Sequence, residues 1–261
     1  MKIGVVCTQI YNEAIQAKDE LIKKYKLTNV KGAKDLKNID VLLVLGGDGF
    51  MLRTIHSYYK YNIPFFGLNY GNMGFLLNSK HCLECNLVDI IGTGDTISIN
   101  PLKNIITNTK NKTFEDIAVN ELTLIRSVYK TCDFDVFVNG DRKLKNYSGD
   151  GIVVSTPIGS TAYSSSLGAP IISHRSNNII LSAISPFRPR TFRNAILQND
   201  CKLSFRANYT ETRKVSAFTD FVEYKDVIEV ESFIDKNIQI QLIFDKNKSL
   251  DSKIIDEQFK H

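Results

Sequence analysis

Three stretches of this 261-residue chain place chemistry-bearing side chains where the backbone is bare. The first is Gly46-Gly47-Asp48-Gly49, which ends the apolar run "IDVLLVL" and leads at once into the amphipathic "FMLRTIHSYYK". Glycines at a strand's end allow a tight turn and the close approach of a ligand. The helix that follows aims unpaired N–H groups and its positive dipole end at the same point. Phosphate is the natural guest there, so Gly46, Gly47 and Gly49 are candidate phosphate-binding residues. The spacing is neither G-x-G-x-x-G nor G-x-x-x-x-G-K-[ST], which leaves a Rossmann cofactor loop and a P-loop both unsupported. Asp48 then needs a task that outweighs its repulsion of phosphate. Three are open to it: capping the helix, holding Mg2+ through water, or accepting the proton of a hydroxyl that attacks a phosphoryl group.

The second stretch is "SGDGIVVSTPIGSTAYSSSLGAP", residues 148–170. Another Gly-Asp-Gly, centred on Asp150, precedes an apolar strand, and "GSTAYSSS" follows. Gly159 lets the chain turn, and Ser160 or Thr161 is placed to cap a short helix beginning near Ala162. Tyr163 is suited to stack on a planar base, and Ser166 falls one helical turn beyond Ala162. A polar loop explains the glycines and serines equally well; it does not explain so many ligand-suited groups beside a second aspartate. The third stretch is "VNELTL", where Asn120-Glu121 interrupts an apolar run. It is either an exposed turn or an amide reading a base edge beside a carboxylate that accepts from ribose hydroxyls.

The elements that must carry these residues change character along the chain. "KIGVVC", "IDVLLVLGG" and "IPFFGLN" read as strands. Residues 12–26 read as a helix with Ala14, Ala17, Leu21 and Tyr25 on one face, and residues 50–61 as a second with Met51, Leu52, Ile55 and Tyr59 inward. Continuous Val/Leu/Ile runs fit strands covered on both faces, and the alternation implies right-handed parallel crossovers. From about residue 97 short alternating runs dominate, and Asn139-Gly140 is a strong hairpin signal because both residues tolerate positive φ. The expected architecture is an N-terminal α/β domain with a parallel sheet over 1–97. A β-rich, sandwich-like domain over 98–245 follows. A tail over 246–261 is frayed or docked on the first domain.

Composition narrows the class. Lys and Arg number 33 against 28 Asp and Glu, a net charge of +5, with 43% hydrophobic and 23% charged residues. These are values of an ordinary globular protein. The basic residues are scattered, which argues against nucleic-acid binding and suits an anionic small molecule. No run is long enough to span a membrane, and the N-terminal apolar stretch is too short for a signal peptide. The cysteine count of 5 is odd, which fits unpaired thiols in the cytoplasm. "HCLEC", residues 81–85, has no second ligand pair to complete a zinc site.

In this order, "LGGDGFML" (45–52), "GNMGFL" (71–76), "NE" (120–121) and "GDGIVVSTPIGSTAYSSSLGAPI" (149–171) resemble the NAD kinase family. Gly-Gly-Asp-Gly alone marks a wider superfamily that includes phosphofructokinases and lipid kinases; the long last motif is far more specific. The resemblance implies phosphorylation of the 2′-hydroxyl of the adenosine ribose of NAD, giving NADP, with ATP or polyphosphate as donor and Mg2+ on its phosphates. By likeness Asp48 is the general base and Gly49 lines the phosphates. Phe75 borders the adenosine pocket, and Asn120 and Glu121 hold adenine and ribose groups. Asp150 contacts the nicotinamide half, and Thr161, Ala162, Tyr163 and Ser166 complete the adenine side. Family members assemble as homotetramers or homodimers. The chain departs from the family at "FTDFVEY": Asp220, which by likeness reaches a neighbouring subunit's ligand, is followed by Phe221. Arg188, Arg190 and Arg193 in "SPFRPRTFRNAIL" suit phosphates, a partner subunit or a solvated face. The alternatives are a lipid or sugar kinase with the same glycine loop, and a dinucleotide-binding regulator without catalysis.

Overall fold

The computed structural model describes residues 1–72, 74–84, 86–246 and 250–258. The chain divides into two compact units, one formed by residues 1–99 with 239–261 and the other by residues 100–238.

The first unit is built on a seven-stranded sheet. Its path runs Thr28–Asn29, Ile3–Cys7, Val41–Gly46, Phe65–Asn69, Ile240–Phe244, Asp95–Ile99, with Asn78–Ser79 pairing beside Phe65–Asn69. All pairings are parallel except that of Asp95–Ile99 with Ile240–Phe244. Strand Val41–Gly46 is buried throughout, as its unbroken apolar run requires. Each Val or Leu so buried stabilises the fold by about 1.5–3 kcal/mol. Helix Asn12–Tyr25 buries Ala14 and Leu21, and Ala17 and Tyr25 are half-buried.

Helix Asp48–Tyr58 buries Met51, Leu52 and Ile55 and runs on into a 3-10 turn, Tyr59–Tyr61. It begins two residues before the expected start, so Gly47 is the cap and Asp48 the first helical residue. "IQIQLIF" does not stay in the β-rich region: Ile240–Phe244 returns to the first sheet, between Phe65–Asn69 and Asp95–Ile99. Its alternating pattern is that of a half-buried strand in either sheet, and only pairing decides. Helix Leu250–Gln258 belongs to this same unit.

The second unit holds two six-stranded antiparallel sheets. One is ordered Asp141–Gly149, Cys132–Val138, Leu203–Ala207, Val227–Ile234, Leu102–Asn108, Thr113–Ala118; the other Asn194–Gln198, Asn178–Ile184, Gly151–Ser155, Glu121–Arg126, Val215–Thr219, Val222–Tyr224. Their inner faces share one core, with Ile106, Phe134, Tyr147 and Phe205 from the first sheet and Leu124, Val154 and Leu181 from the second. The hairpin at Asn139-Gly140 forms as expected, with φ of 53° and 86°. No helix among the described residues is long and apolar enough to cross a membrane.

Candidate functional site

Two clusters gather the candidate residues, one in each unit. In the first, strand Val41–Gly46 delivers the glycine loop. Gly46 is buried, lies opposite Asn69 in the sheet, and its carbonyl accepts the N–H of Tyr70 at 2.8 Å. The carbonyl of Gly47 accepts from Phe50 and Met51 at 2.9 and 3.0 Å, which starts the helix. Gly49 is exposed, and a Cβ built on it would meet nothing within 4 Å. The fold makes no steric demand for glycine there.

Asp48 does not cap its helix. Its two oxygens cross to the next loop: Phe75 N–H donates to Oδ2 at 2.8 Å and Leu76 N–H donates to Oδ1 at 2.9 Å. That loop is itself tied down. Gly71 N–H donates to Asn69 Oδ1 at 3.0 Å. Buried Asn78 donates to the carbonyls of Gly67 and Ile243 and accepts from the N–H of Asp245. The Asp48 carboxyl sits above its ordinary pKa: burial raises it, while the N–H groups of Phe75 and Leu76 and the charge of Lys253 oppose. The result is a fixed carboxylate, more basic than a solvated one, with lone pairs left over. Asn78 and Lys253 carried no signal in the sequence beyond being polar among apolar neighbours.

The second cluster forms around Asn120 and Glu121, at the start of strand Glu121–Arg126. Asp220, at a turn with φ of 54°, braces them from behind: its carboxylate accepts the N–H groups of Val119, Asn120 and Glu121 at 2.8, 2.8 and 3.2 Å. The "TPIGST" loop closes over the same segment. Thr156 N–H donates to Asn120 O at 2.9 Å, Thr156 Oγ1 donates to Val119 O at 2.7 Å and accepts from Gly159 N–H at 3.0 Å. A Cβ on Gly159 would lie 2.1 Å from Asn120 O, so only glycine lets the two backbones cross this closely.

Ser160 and Thr161 do not cap a helix at Ala162. Their hydroxyls turn back to the carbonyls of Pro157 and Ile158 at 2.6 and 3.2 Å, within the 3-10 turn Ile158–Thr161, because that turn already supplies the nearest acceptors. Ala162 stands between this turn and the single helical turn Tyr163–Ser166, which leaves Thr161, Ala162 and Tyr163 half-buried and Ser166 exposed. The Tyr163 N–H faces the Glu121 carboxyl, whose pKa is pushed up to about 8, first by burial and then by the charge of Asp220. Asn120 Oδ1 and Glu121 Oε2 are buried without a hydrogen-bond partner. Orphaned acceptors of this kind are costly in a fold, and a ligand offering hydroxyl or amino donors would satisfy them.

Asp150 lies apart from this pair. Arg126 Nε donates to its Oδ1 at 2.6 Å and Nη1 to the carbonyls of Val128 and Tyr129. Arg126 was invisible in sequence because the arginine and the aspartate are 24 residues apart. Arg188 and Arg190 both stack over Phe187, at 5.6 and 5.5 Å. In "HCLEC", His81 Nδ1 pairs with Glu84 at 2.9 Å and Cys82 Sγ faces Asp245 at 3.5 Å. Cys85 of that segment, Met73 of "GNMGFL" and residues 247–249 and 259–261 of the tail lie outside the described residues.

Comparison with known proteins shows the family. Residues 3–82 match the family model of the ATP-NAD kinase N-terminal domain and residues 119–231 that of the ATP-NAD kinase C-terminal domain. An NAD kinase of Rickettsia canadensis (strain McKiel) is 34% identical over 258 residues, covering 99% of this chain and 98% of the relative. One of Xylella fastidiosa (strain 9a5c) is 35% identical over 246 residues, covering 94% and 92%. Among solved structures, yeast NADH kinase complexed with NADH aligns with a TM-score of 0.84 at 20% identity, over 99% of this chain and 86% of that one. An NAD kinase from Archaeoglobus fulgidus in complex with ATP aligns with a TM-score of 0.75 at 20% identity, over 95% of both chains.

Proposed function

The chain belongs to the NAD kinase family and phosphorylates NAD to NADP, and we propose a division of that reaction among its residues. ATP is the donor, in keeping with the family, and the acceptor is the 2′-hydroxyl of the adenosine ribose. Asp48 accepts the proton of that hydroxyl. The freed oxygen attacks the γ-phosphorus, the bond to the β,γ-bridging oxygen breaks, and ADP leaves with the electron pair. Gly49 and the start of helix Asp48–Tyr58 face the donor phosphates. Asn120 Oδ1 and Glu121 Oε2 accept from donors of the dinucleotide, Tyr163 offers its ring to the base, and Thr161, Ala162 and Ser166 line the same mouth. Phe75 takes the adenosine side and Asp150 the nicotinamide half. Asp220 contributes by holding Asn120 and Glu121 in place through the main-chain N–H groups that its carboxylate accepts.

The described residues include no cluster of three His, Cys, Asp or Glu side chains for a metal, and both Asp48 oxygens already hold N–H groups. Mg2+ carried on donor phosphates needs no such cage, and when bound it supplies charge neutralisation. We assign it no protein ligand. Assembly as a homotetramer or homodimer is part of the proposal, supported by exposed Phe187, Ile196 and Tyr209. So is a cytoplasmic setting, supported by the unpaired thiols Cys7, Cys132 and Cys201.

The observation that carries this reading is the anchored Asp48 carboxylate at the head of its helix. Purified protein given NAD, ATP and Mg2+ is expected to form NADP. Asp48→Asn is expected to bind NAD within a few-fold of the parent while kcat falls by about 10²–10⁴, the yield of a positioned base. Near-normal turnover in that variant would remove Asp48 from the role.

A further inference from the structure

We propose that Lys253, on helix Leu250–Gln258, is a positioning residue for Asp48, holding in place the loop that donates to both carboxylate oxygens. The inference rests on Asp48 being the base of the reaction above. The path from one residue to the other is short. Lys253 Nζ donates to the carbonyl of Leu77. One and two residues earlier in the chain, Leu76 and Phe75 give their N–H groups to Asp48 Oδ1 and Oδ2. The residue after Leu77 is Asn78, whose buried side chain grips Gly67, Ile243 and Asp245. The loop is thus pinned through Asn78 on the sheet side and through Leu77 by the lysine.

Lys253 is well placed for this task. Its helix is anchored by Leu250, which is fully buried, and its ammonium lies 5.5 Å from the centre of the Phe244 ring, the last residue of strand Ile240–Phe244. A charged donor on a carbonyl makes a stronger bond than a neutral one, and the aromatic face adds to it. The same charge favours the ionised form of Asp48, against the effect of burial. Other titratable groups lie on the neighbouring elements. Tyr70, after the facing strand, responds to Cys7, Glu13 and Glu20. Asp245 accepts from Cys82, and Arg53 and His56 lie further along Asp48's own helix. The charge of Lys253 acts on Asp48. A polar C-terminal tail with a few apolar anchors therefore supports the reaction from outside the motifs that define it.

The test uses the full chain with Lys253→Met, Lys253→Gln and Lys253→Arg, each measured for kcat against pH, for KM toward NAD and for thermal midpoint. Lys253→Met is expected to move the acid limb of kcat up by about 0.5–1 pH unit and to lower the plateau about three- to tenfold, with KM for NAD within twofold. Lys253→Gln keeps a donor for Leu77 and drops the charge; it is expected to move the limb similarly with a smaller plateau loss. Lys253→Arg keeps both and is expected to restore the parent profile. A Gln variant whose limb superimposes on the parent's, or an Arg variant no better than Met, overturns the proposal. If Met fails to fold, Gln and Arg alone decide. The two readings fail separately: turnover surviving Asp48→Asn sinks the base, whereas its loss with an unmoved Gln limb sinks only the lysine.

Discussion

Gly-Asp-Gly occurs twice in this chain, at 47–49 and at 149–151, and the two copies solve different problems. At the first, Cβ atoms on Gly47 and Gly49 would find ordinary or open space, with the closest contact 3.8 Å for Gly47 and none within 4 Å for Gly49. At the second, a Cβ on Gly149 would lie 2.5 Å from the Tyr147 hydroxyl and 2.9 Å from Ile184 O, and one on Gly151 would lie 2.2 Å from Leu124 O. The first pair leaves room outside the fold, and the second lets the fold close on itself. The aspartates differ in step. Asp48 is held by two main-chain N–H groups and sits above its ordinary pKa, whereas Asp150 is paired with the Arg126 guanidinium at 2.6 Å. The first carboxylate takes its hydrogen bonds from neutral main-chain donors and the second from a guanidinium.

That contrast can be broken or sharpened by substitution. The largest change in stability is expected at Gly151→Ala, where a methyl group must displace the Leu124 carbonyl inside the sheet. We expect a loss of about 3 kcal/mol or more and a melting point lower by roughly 6–12 °C. Calorimetry at one pH decides it, and an unchanged melting point would erase the distinction between the two glycine pairs. Next comes Asp150→Asn, which keeps the shape and removes the charge opposite Arg126. KM for NAD is expected to rise about tenfold with kcat within a few-fold, the signature of lost binding that is equal in ground and transition states.

Smaller and pH-dependent is Glu121→Gln. With its folded-state pKa pushed up to about 8 from 4.5, Glu121 keeps its proton in the fold after the unfolded chain has shed it. Its contribution is complete below about pH 4.5 and is lost as pH rises toward 8. The melting-point advantage of the Gln variant over the parent should therefore grow across that window, and a flat difference would contradict the shift. The least effect on stability belongs to Gly49→Ala, within about 2 °C of the parent because its methyl meets nothing. By the phosphate role proposed for Gly49, its kcat/KM for ATP is nonetheless expected to fall about tenfold.

Much of this was legible in the residues. Helix Asn12–Tyr25, the buried strand Val41–Gly46 and the Asn139-Gly140 turn follow from periodicity and backbone preference, which act over a few residues. The family motifs likewise lie in short segments. What escaped depends on partners distant in the chain. Strand Ile240–Phe244 looks like any half-buried strand until Phe65–Asn69 and Asp95–Ile99 claim it. Asp220 reads as a ligand contact, and its hold on three N–H groups about 100 residues away has no sign in the sequence. The donors to Asp48 are main-chain groups of Phe75 and Leu76, which no side-chain pattern announces. Nor do letters separate a glycine that faces open space from one that admits a neighbouring strand.

The most direct measurement is single-turnover NADP formation by Asp48→Asn and Asp150→Asn side by side, with NAD and ATP saturating. Saturation hides differences in binding and leaves the proton transfer exposed. The chemical step is expected to slow by about 10²–10⁴ in the first variant and by no more than a few-fold in the second. Equal rates in the two variants would contradict it.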